Sequence, residues 1–172
     1  HVGCGKNRFQ DWINADLSLF ADLVIRLEKR LPFKDEALSF IYSEHVLEHA
    51  DYKVGVRFLK EAHRVLRPGG VIRTAMPDLD DLVDGYLHDW KRFDWVNWPQ
   101  FSFIKTRAEM MNIAFRWWGH CHLYNREELE RALQEAGFGS IRFVKYGKSN
   151  HIELEGLETR QDSVLIAEAT KV

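Results

Sequence analysis

Short apolar runs bounded by turn residues recur along the first half of the chain. They predict strands over residues 1–3, 12–16, 22–27, 38–43 and 71–75. Two more apolar runs, over residues 140–146 and 163–169, predict strands near the C-terminal end. The run at 164–167 is apolar enough for a strand that is buried on both faces.

Helical periodicity separates several of these strands. Residues 51–66 carry one apolar stripe, made of Val54, Phe58, Leu59, Ala62 and Val65. The sequence Arg67-Pro68-Gly69-Gly70 should end this helix, since proline cannot continue it and glycine supplies a left-handed exit. A second helix is predicted from Asn125, as a cap with Glu128 three residues on, to Gly137. The alternation of strands and helices predicts an α/β fold of the Rossmann-like, doubly wound type, with a mostly parallel sheet.

An aromatic-rich segment at residues 86–118 interrupts this alternation. It contains Trp90, Trp95, Trp98, Trp117 and Trp118, which are five of the six tryptophans. One interpretation is a small helical subcluster that packs its aromatic rings as a core. The other is a lid over the carboxyl ends of the strands, where open α/β sheets bind ligands. The sequence leaves both open, with the insertion placed at about residues 79–122.

Composition narrows the class of protein. At 172 residues the chain is expected to form a single domain, 1–172, and we expect its first strand to begin upstream of His1. A net charge of −2 gives no pull toward nucleic acid or an anionic membrane, so neither is expected as a partner. The two cysteines provide no disulfide framework, which favours a reducing compartment and hence the cytoplasm.

The most informative pattern is the glycine turn after the first strand. Gly3 and Gly5 flank Cys4, and an acid, Asp16, ends the second predicted strand. Glycines allow a ligand to approach the backbone, and an acid at the next strand end can accept hydrogen bonds from ribose hydroxyls. A dinucleotide is disfavoured, because no third glycine follows and the residues between Gly5 and Asp16 leave no room for a full helix.

Five segments in order resemble one family. They are His1-Val2-Gly3-Cys4-Gly5, Trp12-Ile13-Asn14-Ala15-Asp16, Leu31-Pro32-Phe33, His45-Val46-Leu47-Glu48-His49 and Arg64-Val65-Leu66-Arg67-Pro68-Gly69-Gly70. This series resembles the class I S-adenosylmethionine-dependent methyltransferases, and among them a compact bacterial group with a shortened first helix. The resemblance implies a sheet of about seven strands whose last strand is antiparallel.

The resemblance also implies a cofactor site for S-adenosylmethionine. Gly3, Cys4 and Gly5 would line its methionine part, and Asp16 would hold the ribose. Ser43, Glu44 and His45 would lie beside the transferable methyl group, with Leu17 and Leu27 as further cofactor contacts. The chain departs from many relatives at Arg26 and Leu27, where an acid often contacts adenine.

The function implied is transfer of a methyl group to an oxygen, with nitrogen as the less favoured acceptor, of a small molecule or sugar. A hydroxyl acceptor must lose its proton, and a histidine has a suitable pKa for that task. The candidates are His122, His120 and His45, in that order. A non-catalytic protein that keeps the fold and binds the cofactor is the first alternative.

The string His45-Val46-Leu47-Glu48-His49 also matches the H-x-x-E-H signature of one class of zinc protease. Such a site needs a third ligand from a nearby helix, for which the predicted strand order provides no place. The adjacent residues His120, Cys121 and His122 cannot all point one way on a regular element. We therefore assign no metal ligands from the sequence and keep a zinc hydrolase using His45 and His49 as a second alternative.

Overall fold

A computed structural model describes all 172 residues. Six strands and four α-helices, joined by short 3-10 helices, make up the fold, and none of the helices is both long and apolar enough to cross a membrane. In chain order they are β1 (Ala15–Asp16), β2 (Leu23–Val24), β3 (Leu38–Glu44), α1 (Tyr52–Val65), β4 (Leu66–Met76), α2 (Leu79–Leu87), α3 (Arg107–Arg116), α4 (Arg126–Glu135), β5 (Ser140–Phe143) and β6 (Leu165–Thr170).

The strands form a two-stranded and a four-stranded unit, ordered β1-β2 and β3-β4-β6-β5. Val2 makes parallel bridges to Ala15 and to Ser43 and so joins the two units. The strands β1 and β2, and β3 and β4, pair in parallel, whereas β6 is antiparallel to both of its neighbours. The α/β Rossmann-like architecture is confirmed, and the last strand is antiparallel as expected. The number of strands differs, because the predicted first strand is reduced to the bridges of Val2.

Strand β1 is shorter than the predicted strand at residues 12–16, because the buried side chain of Asn14 bonds to the backbone of the segment before it. The amide of Asn14, only 3% exposed, donates to the carbonyls of Phe9 and Trp12. Its oxygen accepts from the N–H of Phe9. The segment before Ala15 is therefore held by side-chain hydrogen bonds, and only Ala15 and Asp16 pair with the next strand.

Helix α1 follows the prediction closely. Asp51 caps it by accepting a hydrogen bond from the N–H of Val54, and the helix buries Phe58, Leu59 and Ala62 completely. It ends at Val65, and β4 begins at the next residue, several positions earlier than the predicted start at residue 71. The left-handed residue of the predicted exit, Gly69 at φ +75°, lies within β4 instead.

Helix α4 is capped by Asn125, whose side chain accepts from the N–H of Glu128. The carboxylate of Glu128 does not close a capping box, since it binds Arg131 and lies 3.0 Å from His122. The apolar side chains of α4, Leu129, Ala132 and Leu133, are buried in the main core, the larger of two clusters of buried apolar residues, and α4 packs against α1.

The aromatic insertion forms a second core of its own. Its buried residues are Leu82, Trp95, Val96, Phe101, Ile104, Met110, Ala114 and Leu123. Two of its tryptophans, Trp98 and Trp117, stay 45% and 56% exposed. The packing interpretation of this segment therefore accounts for most, though not all, of its aromatic side chains.

One buried charged network ties the C-terminal connection, residues 144–164 between β5 and β6, to the sheet. Arg73, on β4, is fully buried and donates to Glu158 and Glu168, with both N···O distances 2.6 Å. It also donates to the carbonyl of Lys148 at 2.9 Å. Because Glu158 and Lys148 lie between β5 and β6, Arg73 fixes the long connection that reaches the site described below.

Replacing Arg73 by methionine should strongly destabilise the fold. Arg73→Met leaves two buried carboxylates without their partner, which costs about 3–5 kcal/mol of unfolding free energy. Arg67→Met is the matched control, since Arg67 lies on the same strand but is exposed, and it should stay within about 0.5 kcal/mol of wild type. Urea unfolding of both variants checks this, and equal losses would contradict the role given to Arg73.

Candidate functional site

The glycine turn is built as the sequence suggested. The N–H groups of Gly3 and Cys4 both donate to the carbonyl of Ala15 on β1. Gly3 and Gly5 have φ values of +71° and +51°, a region that favours glycine. A Cβ at Gly3 would lie 2.2 Å from Cγ2 of Val46, whereas at Gly5 it would meet no atom within 4 Å. Gly3 is thus required by packing, and Gly5 leaves open space.

Asp16 lies at the end of β1, against this turn. Its Oδ2 accepts from the N–H of Gly5 at 2.8 Å, and its Oδ1 accepts from the N–H of Ser18 at 3.1 Å. Each carboxylate oxygen keeps a second lone pair, so both can still accept from a ligand hydroxyl. The two predicted leucine contacts differ in setting: Leu17 is 66% exposed beside Asp16, and Leu27 packs half-buried against the main core.

A cavity of about 260 Å³ lies beside the glycine turn. Its lining includes three predicted residues of the turn, Gly3, Cys4 and Gly5, together with Glu44 at the end of β3. The opposite wall is formed by Thr159 and Arg160. This volume lies just below the range for small-molecule sites, roughly 300–1,000 Å³.

Ser43, another predicted cofactor contact, does not line this cavity. Its side chain is 1% exposed, and its hydroxyl donates to Oγ1 of Thr74 at 3.1 Å on the neighbouring strand. Ser43 therefore lies within the sheet.

Glu44 is fully engaged with the C-terminal connection. It accepts from the N–H and the hydroxyl of Thr159, from the N–H of Arg160 and from the hydroxyl of Ser163, at 2.6–3.1 Å. Burial alone would raise the pKa of the Glu44 carboxyl, but hydrogen bonds from Thr159, Ser163 and Arg160 outweigh it and hold the pKa below its ordinary value. Glu44 thus anchors the wall of the cavity.

Thr159, Arg160 and Ser163 were missed from the sequence. They lie more than one hundred positions from Glu44, in a polar stretch that precedes the last strand and matches no known motif. Asn7, in the loop after the glycine turn, also donates to the hydroxyl of Thr159 at 3.0 Å. The connection therefore joins both sides of the cavity.

A cluster of titratable side chains follows directly after Glu44. His45 has a left-handed backbone, at φ +53°, and its side chain is only 10% exposed. Its Nδ1 lies 3.4 Å from Oε1 of Glu48, and its Nε2 lies 3.6 Å from Oδ1 of Asp162. One atom that could bind a metal ion from each of Glu48, His49 and His120, a carboxylate oxygen or a ring nitrogen, lies within 4.8 Å of the other two. Residues distant in sequence thus meet at the carboxyl end of β3.

Burial is the main cause of the pKa shifts in this cluster. It lowers the pKa of the His45 imidazole to about 3 and raises the pKa of the Glu48 carboxyl to about 8. Burial also lowers the pKa of His49 and of His120. The three imidazoles are therefore neutral at neutral pH, each with a lone pair on one ring nitrogen.

The structure separates the first catalytic candidate from the other two. His122 lies 3.0 Å from Glu128 on α4 and packs its ring against Tyr52 and Tyr124. His120 instead packs against His49, with the ring centroids 5.0 Å apart. Of the three predicted histidines, His45 and His120 share the cluster around Glu48.

The zinc-protease arrangement of His45 and His49 is not formed. That motif needs both histidines on one face of an α-helix. Here His45 precedes a short 3-10 helix, Leu47–His49, and its backbone is left-handed. His45 is also not part of the group of possible metal ligands, Glu48, His49 and His120, whose atoms lie close together.

Comparison with known proteins identifies a family to which the sequence is similar. A family model described as a methyltransferase domain matches residues 2–141. No curated protein matches the chain.

Two solved structures share the fold. One is from Thermotoga maritima, described as an S-adenosylmethionine-dependent methyltransferase and possible histamine N-methyltransferase; it is 21% identical, with a TM-score of 0.51, over 85% of this chain and 61% of that protein. The other, a Bacillus halodurans protein assigned as a methyltransferase, is 16% identical, with a TM-score of 0.53, over 94% of this chain and 82% of that one. At these identities the likeness establishes the shared fold.

Replacing glycine by alanine should destabilise the fold more at Gly3 than at Gly5. Both Gly3→Ala and Gly5→Ala place alanine at positive φ, which costs about 1–2 kcal/mol. Only Gly3→Ala also forces Val46 to move, which adds about 1–3 kcal/mol of overpacking. Thermal and urea unfolding of the two variants should separate them by that amount, and equal stabilities would contradict the contact with Val46.

The anchor at Glu44 should make stability depend on pH. Because the pKa of Glu44 is lowered in the fold, its contribution is present above the unfolded pKa, about 4.5, and is lost as pH falls through the folded value. Glu44→Gln should cost about 1–3 kcal/mol at pH 7.

The difference in unfolding free energy between wild type and Glu44→Gln should then decrease below about pH 4.5. Glu153→Gln, an exposed carboxylate, serves as the control and should show neither effect. Urea unfolding across pH checks this, and a gap independent of pH would contradict the anchoring charge.

Proposed function

The chain belongs to the methyltransferase family, whose methyl donor is S-adenosylmethionine, and from this premise we propose that it methylates an oxygen of a small molecule or a sugar. Nitrogen is the less favoured acceptor. The observation that carries the proposal is the joint placement of the glycine turn, Asp16 and the adjoining cavity at the carboxyl ends of the strands.

The residues around the turn suit this cofactor. Gly5 lines the cavity and leaves free the space that a side chain would fill. Asp16 is held by two backbone N–H groups and can still accept from ribose hydroxyls. No third glycine or helix N-terminus follows the turn, which agrees with a cofactor that carries no phosphate.

When bound, this cofactor supplies a methyl carbon made electrophilic by its sulfonium sulfur. The transfer is a single displacement, so the protein's main tasks are to align the two reactants and to exclude water. In our proposal Gly3, Cys4 and Gly5 hold the donor side. Glu44 contributes indirectly, because it fixes Thr159 and Arg160 as the opposite wall.

We place the acceptor on the side of His45 and His120. His45 follows Glu44 directly, and its Nε2 has no hydrogen-bond partner. His120 lies at the end of the aromatic insertion, with Trp118 packed 5.8 Å from its ring. This placement supports a role for the end of the insertion as a cover over the acceptor. It also supports His45 and His120, before His122, as groups that orient a hydroxyl, whereas the low pKa of His45 makes it a poor base at neutral pH.

Removing the charge of Asp16 should weaken cofactor binding. Asp16→Asn loses hydrogen bonds to a charged acceptor, so the Kd for S-adenosylhomocysteine should rise about 10- to 100-fold. Asp11→Asn is the matched control, because Asp11 is an exposed acid that, unlike Asp16, accepts no hydrogen bond from the glycine turn, and asparagine tolerates its positive φ. Calorimetric titration measures both; unchanged affinity in Asp16→Asn would contradict the ribose contact.

The reaction itself is tested with a donor whose methyl carbon carries an isotope label. We expect label to appear on oxygen when sugars and phenols are offered, with amines as the comparison set. Binding of S-adenosylhomocysteine without transfer to any acceptor would instead favour a non-catalytic binding protein. Label found on nitrogen alone would overturn the oxygen assignment and leave the cofactor assignment intact.

A further inference from the structure

We propose that Glu48, His49 and His120 form a binding site for one divalent transition-metal ion, such as Zn²⁺. One donor atom from each residue lies within 4.8 Å of the other two. Two imidazoles and one carboxylate are typical ligands of zinc and of ferrous iron in proteins. This set differs from the pair His45 and His49 considered from the sequence.

Glu48 is the strongest indication of a missing ligand. Its residue is 1% exposed, and neither carboxylate oxygen has a hydrogen-bond partner. The nearest basic atom, Nδ1 of His45, lies 3.4 Å from Oε1 without forming a hydrogen bond. Buried carboxylates are normally paired, hydrogen-bonded or bound to a metal, because burial without a partner is costly. A cation between Glu48 and the two histidines would supply that partner.

His120 is already oriented as a metal ligand. Its Nδ1 lies 2.7 Å from the carbonyl oxygen of Ala114, which places the ring proton on Nδ1. Its Nε2 then carries the free lone pair. Metal-binding histidines usually donate their other ring N–H to a carbonyl or carboxylate in this way.

The backbone holds the two halves of the site together. The carbonyl oxygen of Glu48 accepts from the N–H of Cys121 at 2.7 Å and of His122 at 3.2 Å. These bonds place His120 against His49, so that their rings meet edge to face. A tetrahedral zinc ion with ligands at 2.0–2.1 Å requires ligand atoms about 3.4 Å apart. Side-chain rotations that move these atoms by about 1 Å would bring them to that spacing.

The charges around the cluster are mixed. Arg160 lies close enough to lower the pKa of His45 and His49, and it disfavours a second positive charge. Asp162, which reaches within 3.6 Å of His45, offsets it, and Glu48 does so once metal binding displaces its proton. Three protein ligands leave at least one coordination position open, which is typical of catalytic rather than structural zinc sites.

The test is calorimetric titration of ZnCl₂ into untagged protein stripped of metal with a chelator. Wild type should bind one equivalent. Glu48→Gln and His120→Gln should each weaken binding by at least about 100-fold, since loss of outer partners alone costs roughly 10- to 100-fold. His88→Gln, an exposed histidine outside the cluster, is the matched control and should bind as wild type.

Cobalt provides a readout that needs no variant. Co²⁺ bound at this site should show two exchangeable, hyperfine-shifted imidazole N–H signals in the proton spectrum, one for each histidine. Absence of stoichiometric Zn²⁺ binding by the folded wild type would overturn the site. So would binding that persists in folded Glu48→Gln and His120→Gln. The titration uses neither donor nor acceptor, so failure of methyl transfer would leave its result unaffected.

Discussion

The hydrogen bonds between Glu44 and the C-terminal connection determine the shape of the site. Glu44 ends β3 at the sheet edge where the glycine turn lies, and it accepts from Thr159, Arg160 and Ser163. Those residues form the opposite wall of the cavity. Arg73 supports the same connection from beneath through Glu158. Two buried charges, one of each sign, thus hold a long irregular segment that has few backbone hydrogen bonds of its own.

The stretch from Ser43 to His49 serves both halves of the proposed reaction site. Val46 packs against Gly3 so closely that the turn excludes a larger residue there. Glu44 fixes the cavity wall, and Glu48 and His49 meet His120 from the aromatic insertion. A short turn after one strand therefore couples the donor side to the acceptor side. In open α/β sheets ligands bind outside the carboxyl ends of the strands, which is where this turn lies.

The predictions that succeeded rest on local signals. Asn125 caps its helix as predicted, because its short side chain reaches an N–H three residues on, a spacing that the sequence displays directly. The glycine turn and Asp16 are also close in sequence, and the N–H of Gly5 donates to Asp16. The strand at residues 12–16 is largely absent because Asn14 satisfies nearby backbone groups with its side chain. Such competition is not visible in a hydrophobic pattern.

The contacts that escaped prediction join residues far apart in the chain. Glu44 with Thr159, Arg73 with Glu158, and His49 with His120 follow no spacing rule, since they depend on how the connections fold back over the sheet. Polar residues in these connections resemble ordinary solvated loops in the sequence. Only burial distinguishes them, as Glu48 illustrates, because this acidic residue is 1% exposed and nothing in the sequence indicates that it is buried.

Binding of S-adenosylmethionine between the glycine turn and residues 159–160 is the proposal on which the roles of the other site residues depend. Nuclear magnetic resonance of the isotope-labelled protein, titrated with S-adenosylhomocysteine, tests this binding residue by residue. We expect the amide signals of Gly3, Gly5, Ser18 and Thr159 to shift together and to saturate at one equivalent. A second, apolar cavity is lined by Trp12 and Phe33 among others. Saturable shifts confined to the residues of that cavity, with those four amides unmoved, would contradict binding at the glycine turn.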